Sequence, residues 1–115
     1  MTSMHRVTAT ITVIIPAGTS ESEPVSLGAY VGGILFIPDE WTAADLGFLV
    51  SPDGVANYKP LAREGDLVTA VVDPTQHTVF PEVGFPIVDF KLLSHNAGTP
   101  VIQTAERKIV IVVKS

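Results

Sequence analysis

The feature that most constrains this chain is a period-two alternation of β-branched residues over residues 7–15. Apolar side chains occupy the odd positions, and Thr8, Thr10 and Thr12 occupy even ones. Successive side chains of a strand point to opposite faces, so this pattern is typical of a strand buried on one face. Stretches with the apolar period of a helix and a useful length are missing, which predicts an all-β fold.

Turn-forming residues divide the rest of the chain into further strands. We predict eight strands, over residues 7–15, 30–37, 46–50, 58–61, 67–72, 76–80, 87–93 and 109–113, with a brief pairing segment at 25–27. Their spacing is close to the roughly 8–12 residues found in β-sandwiches. The expected fold class is therefore all-β, an antiparallel two-sheet sandwich of the jelly-roll type with about eight strands.

The apolar faces of the predicted strands define the expected core. It comprises Ile11, Val13, Ile34, Phe36, Phe48, Val50, Val71, Phe90, Leu92 and Ile111. The last strand is apolar on both faces, with one row formed by Ile109, Ile111 and Val113 and the other by Val110 and Val112. A second layer or another subunit is expected to cover each row, which predicts a homo-oligomer or a domain bound to a larger assembly.

Three motifs predict local structure. Residues 30–37 form a nearly continuous apolar run, which is typical of a strand buried on both faces. Gly32 and Gly33 within this run indicate either a bulge or a close backbone approach, and a bulge is the simpler interpretation. Ser-Pro-Asp-Gly at residues 51–54 predicts a hairpin turn, because Pro52 presets a negative φ and Gly54 accepts a positive one. Thr42 is placed to cap at most one helical turn over residues 42–45.

Composition narrows the function. Charged residues make up 17% of the chain and hydrophobic residues 46%, with a mean hydropathy of +0.39, whereas soluble proteins average about 25% charged residues. Apolar surface that a small domain cannot bury is usually covered by a partner, so an assembled protein is favoured. The net charge is −5 and no basic cluster exceeds Arg107 and Lys108, which disfavours nucleic-acid binding.

Length and residue types set further bounds. The 115 residues fit a single domain over residues 1–115, with residues 1–6 as a flexible N-terminus. Cysteine is absent, which excludes disulfides and thiolate metal sites. No apolar run has the length of a signal-peptide core or of a membrane span of about 18 residues, so we expect synthesis in the cytoplasm and no membrane association.

Signatures of catalysis are missing from the sequence. It holds no Gly-x-Ser-x-Gly elbow, no phosphate-binding glycine loop and no His-Glu-x-x-His pair, so we expect neither an enzyme nor a cofactor. His5, His77 and His95 are far apart in the chain and have no partner at metal-ligand spacing. They are assigned to surface or turn positions.

Two groups of residues are candidates for binding. Asp39 and Glu40, followed by Asp45, offer oxygen ligands for calcium, but the repeated spacing of a dedicated calcium loop is missing, which favours a solvated loop and no metal. Trp41 either stacks on a sugar or a partner, or caps the open end of the sandwich. Tyr58 presents the same two alternatives.

Residues 46–54 and Tyr58 resemble the strand–turn–strand of galactose-binding-like, discoidin-type jelly rolls. Those domains pass from a Ser-x-Asp-Gly hairpin through an aromatic residue to a later strand such as residues 85–93. The likeness covers about a third of the chain, and Asp-Gly hairpins are common in β proteins. It implies a jelly-roll fold and a carbohydrate-binding surface.

A fuller set of motifs resembles small proteins encoded among the head and tail genes of tailed phages and prophages. They are the threonine-rich first strand, Ile-Pro-Ala-Gly-Thr-Ser at 15–20, Val-Ser-Leu-Gly at 25–28, Ile-Pro at 37–38, and Trp-Thr-Ala-Ala-Asp-Leu at 41–46 before the turn. Residues 73–74, 91–94 and 105–109 agree with this pattern, and residues 75–86 depart from it. The resemblance implies a virion location.

The function expected from these features is that of a bacteriophage virion structural protein, a capsid decoration (cement) protein that bridges subunits of the shell. Its partners would be the major capsid protein or other virion proteins, and its contact anchors would be Trp41, Tyr30 and Tyr58. The alternative is a carbohydrate- or receptor-binding module of a phage tail or head fibre, with a glycan as its ligand.

Overall fold

The computed structural model describes residues 8–26, 33–73, 77–79 and 89–114. Within them the strands are β1 (Thr8–Ile15), β2 (Val25–Ser26), β3 (Gly33–Phe36), β4 (Asp45–Ser51), β5 (Lys59–Pro60), β6 (Ala62–Arg63), β7 (Asp66–Leu67), β8 (Thr69–Ala70), β9 (Thr78–Val79), β10 (Asp89–Asn96), β11 (Thr99–Pro100) and β12 (Arg107–Lys114). The described residues contain no helix, which confirms the all-β class. They therefore include no apolar helix of a length that could cross a lipid bilayer. The predicted flexible N-terminus, His5 and Tyr30 lie outside the described residues.

The strands form two antiparallel sheets packed as a sandwich. The first sheet has the order β1-β12-β3-β9 and the second β11-β10-β4-β5, with β2 beside β10 and β8 beside β4. A separate hairpin pairs β6 with β7. Strands β1 to β4 alternate between the two sheets along the chain, which is the jelly-roll connection that was expected. Seven of the twelve described strands are only two residues long, whereas β4, β10 and β12 are each longer than predicted.

The core lies between the two sheets. Strand β1 pairs with β12 from Thr8–Lys114 to Ile15–Arg107, and β10 pairs with seven residues of β4. The buried apolar residues of the core are Val13, Ile15, Val25, Leu35, Ile37, Leu46, Phe48, Ala70, Phe90, Leu92, Ile109, Ile111 and Val113. The rings of Phe48 and Phe90 meet edge to face with their centroids 5.8 Å apart. Such aromatic pairs contribute about 0.5–1.5 kcal/mol beyond their buried area.

The predicted core is confirmed in part. Five of its members are at most 2% exposed, namely Val13, Phe48, Phe90, Leu92 and Ile111. Three are partly buried, namely Ile11, Phe36 and Val50. The prediction is wrong for Ile34 and Val71, which are 43% and 72% exposed.

Strand β3 was therefore assigned the wrong buried face. It buries Leu35, followed by Ile37, and turns Ile34 away from the second sheet. The continuous apolar run carried no alternation, so it could not distinguish the two faces. The expectation of burial on both faces is also wrong, because nothing in the structure fully covers Ile34.

Gly33 marks a close backbone approach and not a bulge, whereas Gly32 lies outside the described residues. The ladder between β3 and β12 runs without interruption from Gly33 to Phe36. A Cβ atom at Gly33 would overlap the carbonyl oxygen of Val112. Glycine is needed here because no side chain fits between the two strands.

Candidate interaction surface

The outer face of the second sheet is covered by the chain itself. Leu49 and Leu93 point away from the core, yet they are only 7% and 9% exposed. Leu61, Leu67 and Val68, from the segment that links β5 to β8, line a small cavity of about 30 Å³ together with Leu93. The residues between β5 and β8, two strands that pair with β4 at the edge of the second sheet, therefore cover part of its outer face.

No segment among the described residues covers the outer face of the first sheet in this way, and we call it the open face. Its described members are Thr10, Thr12 and Ile14 of β1, Ile34 and Phe36 of β3, and Lys108, Val110 and Val112 of β12. The strand register places Thr10, Val112 and Ile34 in one row across the three strands. Ile34 is 43% exposed, and none of these eight described residues is acidic although the chain carries a net charge of −5. The open face is thus an apolar surface with a threonine margin and a lysine.

The predicted anchors are not brought together. Trp41 precedes β4 and Tyr58 follows it, so about 20 Å of strand separates them. The indole of Trp41 packs against the core, and its Nε1 donates a hydrogen bond to the carbonyl of Ala44 over 3.1 Å. This is the capping placement of the two alternatives. Tyr30, the third predicted anchor, lies outside the described residues.

Tyr58 braces the turn after β4. Its hydroxyl donates to the carbonyl of Gly54 over 2.8 Å, and the ammonium of Lys91 lies 4.6 Å from the centre of its ring. Burial raises the pKa of Tyr58, and the carboxylates of Asp89 and Asp53 raise it further. The phenol therefore stays protonated and keeps its hydrogen bond to Gly54.

The predicted turn at residues 51–54 forms as its residue types require. Oδ1 of Asp53 accepts hydrogen bonds from the N–H groups of Val55 and Ala56, at 2.9 and 3.0 Å, and lies 2.9 Å from the hydroxyl of Ser51. These contacts lower the pKa of Asp53, with the Ala56 N–H contributing most. Gly54 has a φ of +75°, and a Cβ there would overlap the carboxylate of Asp89. The motif is a structural brace, since its polar atoms are used within the turn.

A buried polar cluster was not predicted. The amide of Gln103, which is fully buried, accepts from the N–H of Thr42 and donates to the carbonyl of Thr42, both over 3.0 Å. It also accepts from Nε of Arg107 over 3.2 Å. Thr42 therefore joins this cluster instead of capping a helical turn. The partners are 61 residues apart in sequence, so no local pattern could have shown the contact.

The histidines occupy different environments. The prediction of a surface or turn position is wrong for His95, which lies within β10 and is 2% exposed. Its Nδ1 accepts from the N–H of Gly98 over 2.9 Å, and a Cβ at Gly47 would come within 2.8 Å of its Nε2. His77 is exposed, and its ring lies 4.6 Å from that of Phe36 at the margin of the open face.

The predicted acidic loop is placed without a metal-binding geometry. Oδ1 of Asp45 accepts from the N–H of Val72 over 3.0 Å, whereas Asp39 and Glu40 are exposed. In the part of the chain that the structure describes, no group of three or more His, Asp or Glu side chains is placed to hold a metal ion.

Comparisons of the chain with protein-family models, with curated proteins and with solved structures find no match. The resemblances to discoidin-type domains and to phage virion proteins therefore stay predictions.

Proposed function

We propose that this chain is a non-catalytic structural protein that binds an assembled protein shell through its open face, in the manner of a phage capsid decoration protein. The observation that carries the proposal is the contrast between the two sheets. The segment between β5 and β8 covers part of the outer face of the second sheet, whereas no described segment covers the apolar face of the first sheet, where Ile34 is 43% exposed. Exposed apolar surface of this kind commonly marks an interaction site.

The chemistry of the open face favours a protein surface as its partner. Ile34, Val110 and Val112 offer aliphatic side chains on a rigid three-stranded platform, and Phe36 adds an aromatic ring. Burial of apolar area contributes roughly 25 cal/mol per Å². The described residues of the face hold no carboxylate, so docking removes none of this chain's acidic groups from water.

Binding to an assembled shell explains why a modest surface suffices. Association costs an estimated 4–15 kcal/mol, which limits the affinity of a single small apolar contact. A ligand that binds the assembled state and not the free subunits stabilises that state by mass action. Many equivalent sites on a symmetric lattice multiply this effect, so each copy needs only a weak contact.

The test uses particles of the phage that encodes the chain, with and without it. We expect particles that lack the chain to assemble but to break at lower temperature or on weaker osmotic shock, and added protein to restore their resistance. Ile34→Glu places a charge on the open face and should weaken binding to the particles at least about tenfold, since an unpaired buried charge is costly.

Ile102→Glu is the matched control, because Ile102 is 58% exposed in the loop before β12 and lies off the open face. It should bind particles as the parent protein does. Equal loss of binding in both variants would contradict the role of the open face. Unchanged particle stability, together with specific glycan binding by the isolated domain, would replace this proposal with a receptor-binding function.

A further inference from the structure

We infer that β1 is a self-pairing edge, through which two copies of this chain join their first sheets about a twofold axis at Thr10. The inference concerns the hydrogen-bonding edge of β1 and is independent of the shell binding proposed for the open face.

The backbone of β1 presents unused hydrogen-bonding groups. Among the described strands, β1 lies at the end of the first sheet and pairs with β12 alone. The carbonyl of Ile14 accepts from the N–H of Glu23 over 3.2 Å, so it points away from β12. In an antiparallel strand the residues alternate between bonding to one side and to the other. Thr10 and Thr12 therefore also direct their N–H and C=O groups to the free edge.

This edge lacks the features that usually block pairing. Natural edge strands are kept apart by shortness, charged side chains, proline or bulges. β1 has eight residues, contains no charge and no proline, and pairs with β12 without a bulge. The other described edges differ, because β5, β9 and β11 have two residues each, and β5 and β11 contain proline. Among the described strands, β1 alone offers a long free edge.

A second copy of β1 matches this edge in charge and register. Two acidic chains of net charge −5 repel each other, but Thr8–Ile15 brings no charged side chain to the contact. Because Glu23 occupies the carbonyl of Ile14, the free groups are those of residues 8, 10 and 12, whose centre is Thr10. Antiparallel pairing about that centre places Thr10 opposite its own copy and Thr12 opposite the second copy's Thr8. Cross-strand threonine pairs are favourable in antiparallel sheets.

The space beside the edge also suits the second copy. A groove of about 210 Å³ lies between β1 and the segment that enters β2, and Ile11, Val13, Pro24 and Val25 are among its lining residues. In the register given above, the second copy's Ala9 lies opposite Ile11. Directly opposite residues share a face of the sheet, so this small apolar side chain faces the groove.

Disulfide trapping tests both the pairing and its register. The chain has no cysteine, so an introduced thiol has no internal competitor. Hydrogen-bonded opposite residues have Cα atoms about 5.5 Å apart, within the range of about 4.4–6.8 Å that disulfides span. Thr10→Cys should therefore form a covalent dimer on mild oxidation. The control is Thr12→Cys. In the proposed register the two thiols introduced at position 12 of a dimer would lie four residues apart, about 13 Å along the strands, which is too far for a disulfide.

The expected result is dimer formation at least about tenfold faster for Thr10→Cys than for Thr12→Cys. Equal rates, or no dimer from Thr10→Cys, would overturn the register. Adding Ile34→Glu to Thr10→Cys should leave cross-linking unchanged, which separates this pairing from binding through the open face.

Charge exchange at the twofold axis tests the noncovalent dimer. Thr10 is exposed, so Thr10→Lys and Thr10→Glu should both fold, with circular dichroism spectra like that of the parent. Sedimentation at rising concentration should show that the parent protein forms dimers and that each variant alone stays monomeric. An equimolar mixture of the two variants should form dimers again. Like charges opposite each other disfavour pairing, and opposite charges restore it. A parent protein that stays monomeric at about 1 mM, the scale of a weak contact, or a mixture that stays monomeric, would overturn the inference.

Discussion

The side-chain amide of Gln103 donates a hydrogen bond to the hydroxyl of Ser94 over 2.8 Å, and neither side chain is exposed. The bond connects the loop before β12, in the first sheet, to β10 in the second. The backbone of Gln103 is held as well, since its N–H donates to the carbonyl of Thr19 and its own carbonyl accepts from Gly18. One glutamine thus joins both sheets and two loops at one end of the sandwich.

Gln103→Leu should lower the free energy of unfolding by about 3 kcal/mol or more. The change removes four side-chain hydrogen bonds and leaves the hydroxyl of buried Ser94 and the part-buried backbone groups of Thr42 without these partners, and a buried group left unpaired costs about 1–3 kcal/mol. Urea denaturation measures the loss. Ser94→Ala and the double variant complete a cycle, in which the coupling between the two residues should be about 0.5–3 kcal/mol. Simple additivity would show that the Gln103–Ser94 bond does not contribute.

Ile111→Asp should unfold the domain, whereas Val112→Asp should leave it folded. Ile111 is fully buried in the core, and an unpaired buried charge costs several kcal/mol out of a total stability of roughly 5–15 kcal/mol. Val112 is the next residue of the same strand but lies on the open face, partly in solvent. Circular dichroism and thermal melting distinguish the two variants. A folded Ile111→Asp protein would contradict the assignment of the inner face.

Acid should weaken the turn after β4 through Asp53. The folded-state pKa of Asp53 lies below its ordinary value of 3.8, because backbone N–H groups bind its carboxylate. The stabilisation is therefore complete above that value and is lost as the pH falls through the lower folded-state pKa. Between about pH 5 and about pH 2, the parent should lose more stability than Asp53→Asn, as measured by denaturation midpoints. Asp66→Asn removes the same charge from an exposed site and should retain the parent's pH dependence.

Much of the fold could be predicted from local patterns. The alternation of residues 7–15 matches β1, and the Ser-Pro-Asp-Gly turn forms where Pro52 and Gly54 require it. Strands β4, β10 and β12 lie close to their predicted positions. Each of these signals depends on neighbours within a few residues, since strand period and turn geometry are local properties.

The candidate site was predicted less well. The second apolar row of the last strand, Val110 and Val112, was recognised as needing cover, but Ile34 and Phe36 beside it were assigned to the core. The sequence cannot show which face of an unalternated apolar strand meets the second sheet, because that choice depends on pairing with β12.

The sequence by itself determined that this chain forms a β-sandwich, since alternating β-branched residues and regularly spaced turn formers favour strands whatever tertiary contacts those strands make. The tertiary structure alone decided which polar residues are buried and which apolar face stays open. Gln103 and His95 can enter the interior only because partners distant in sequence, or in a neighbouring turn, satisfy their hydrogen bonds. Among the described residues, the segment between β5 and β8 packs on the outer face of the second sheet and not on the first, and local sequence does not encode that packing choice.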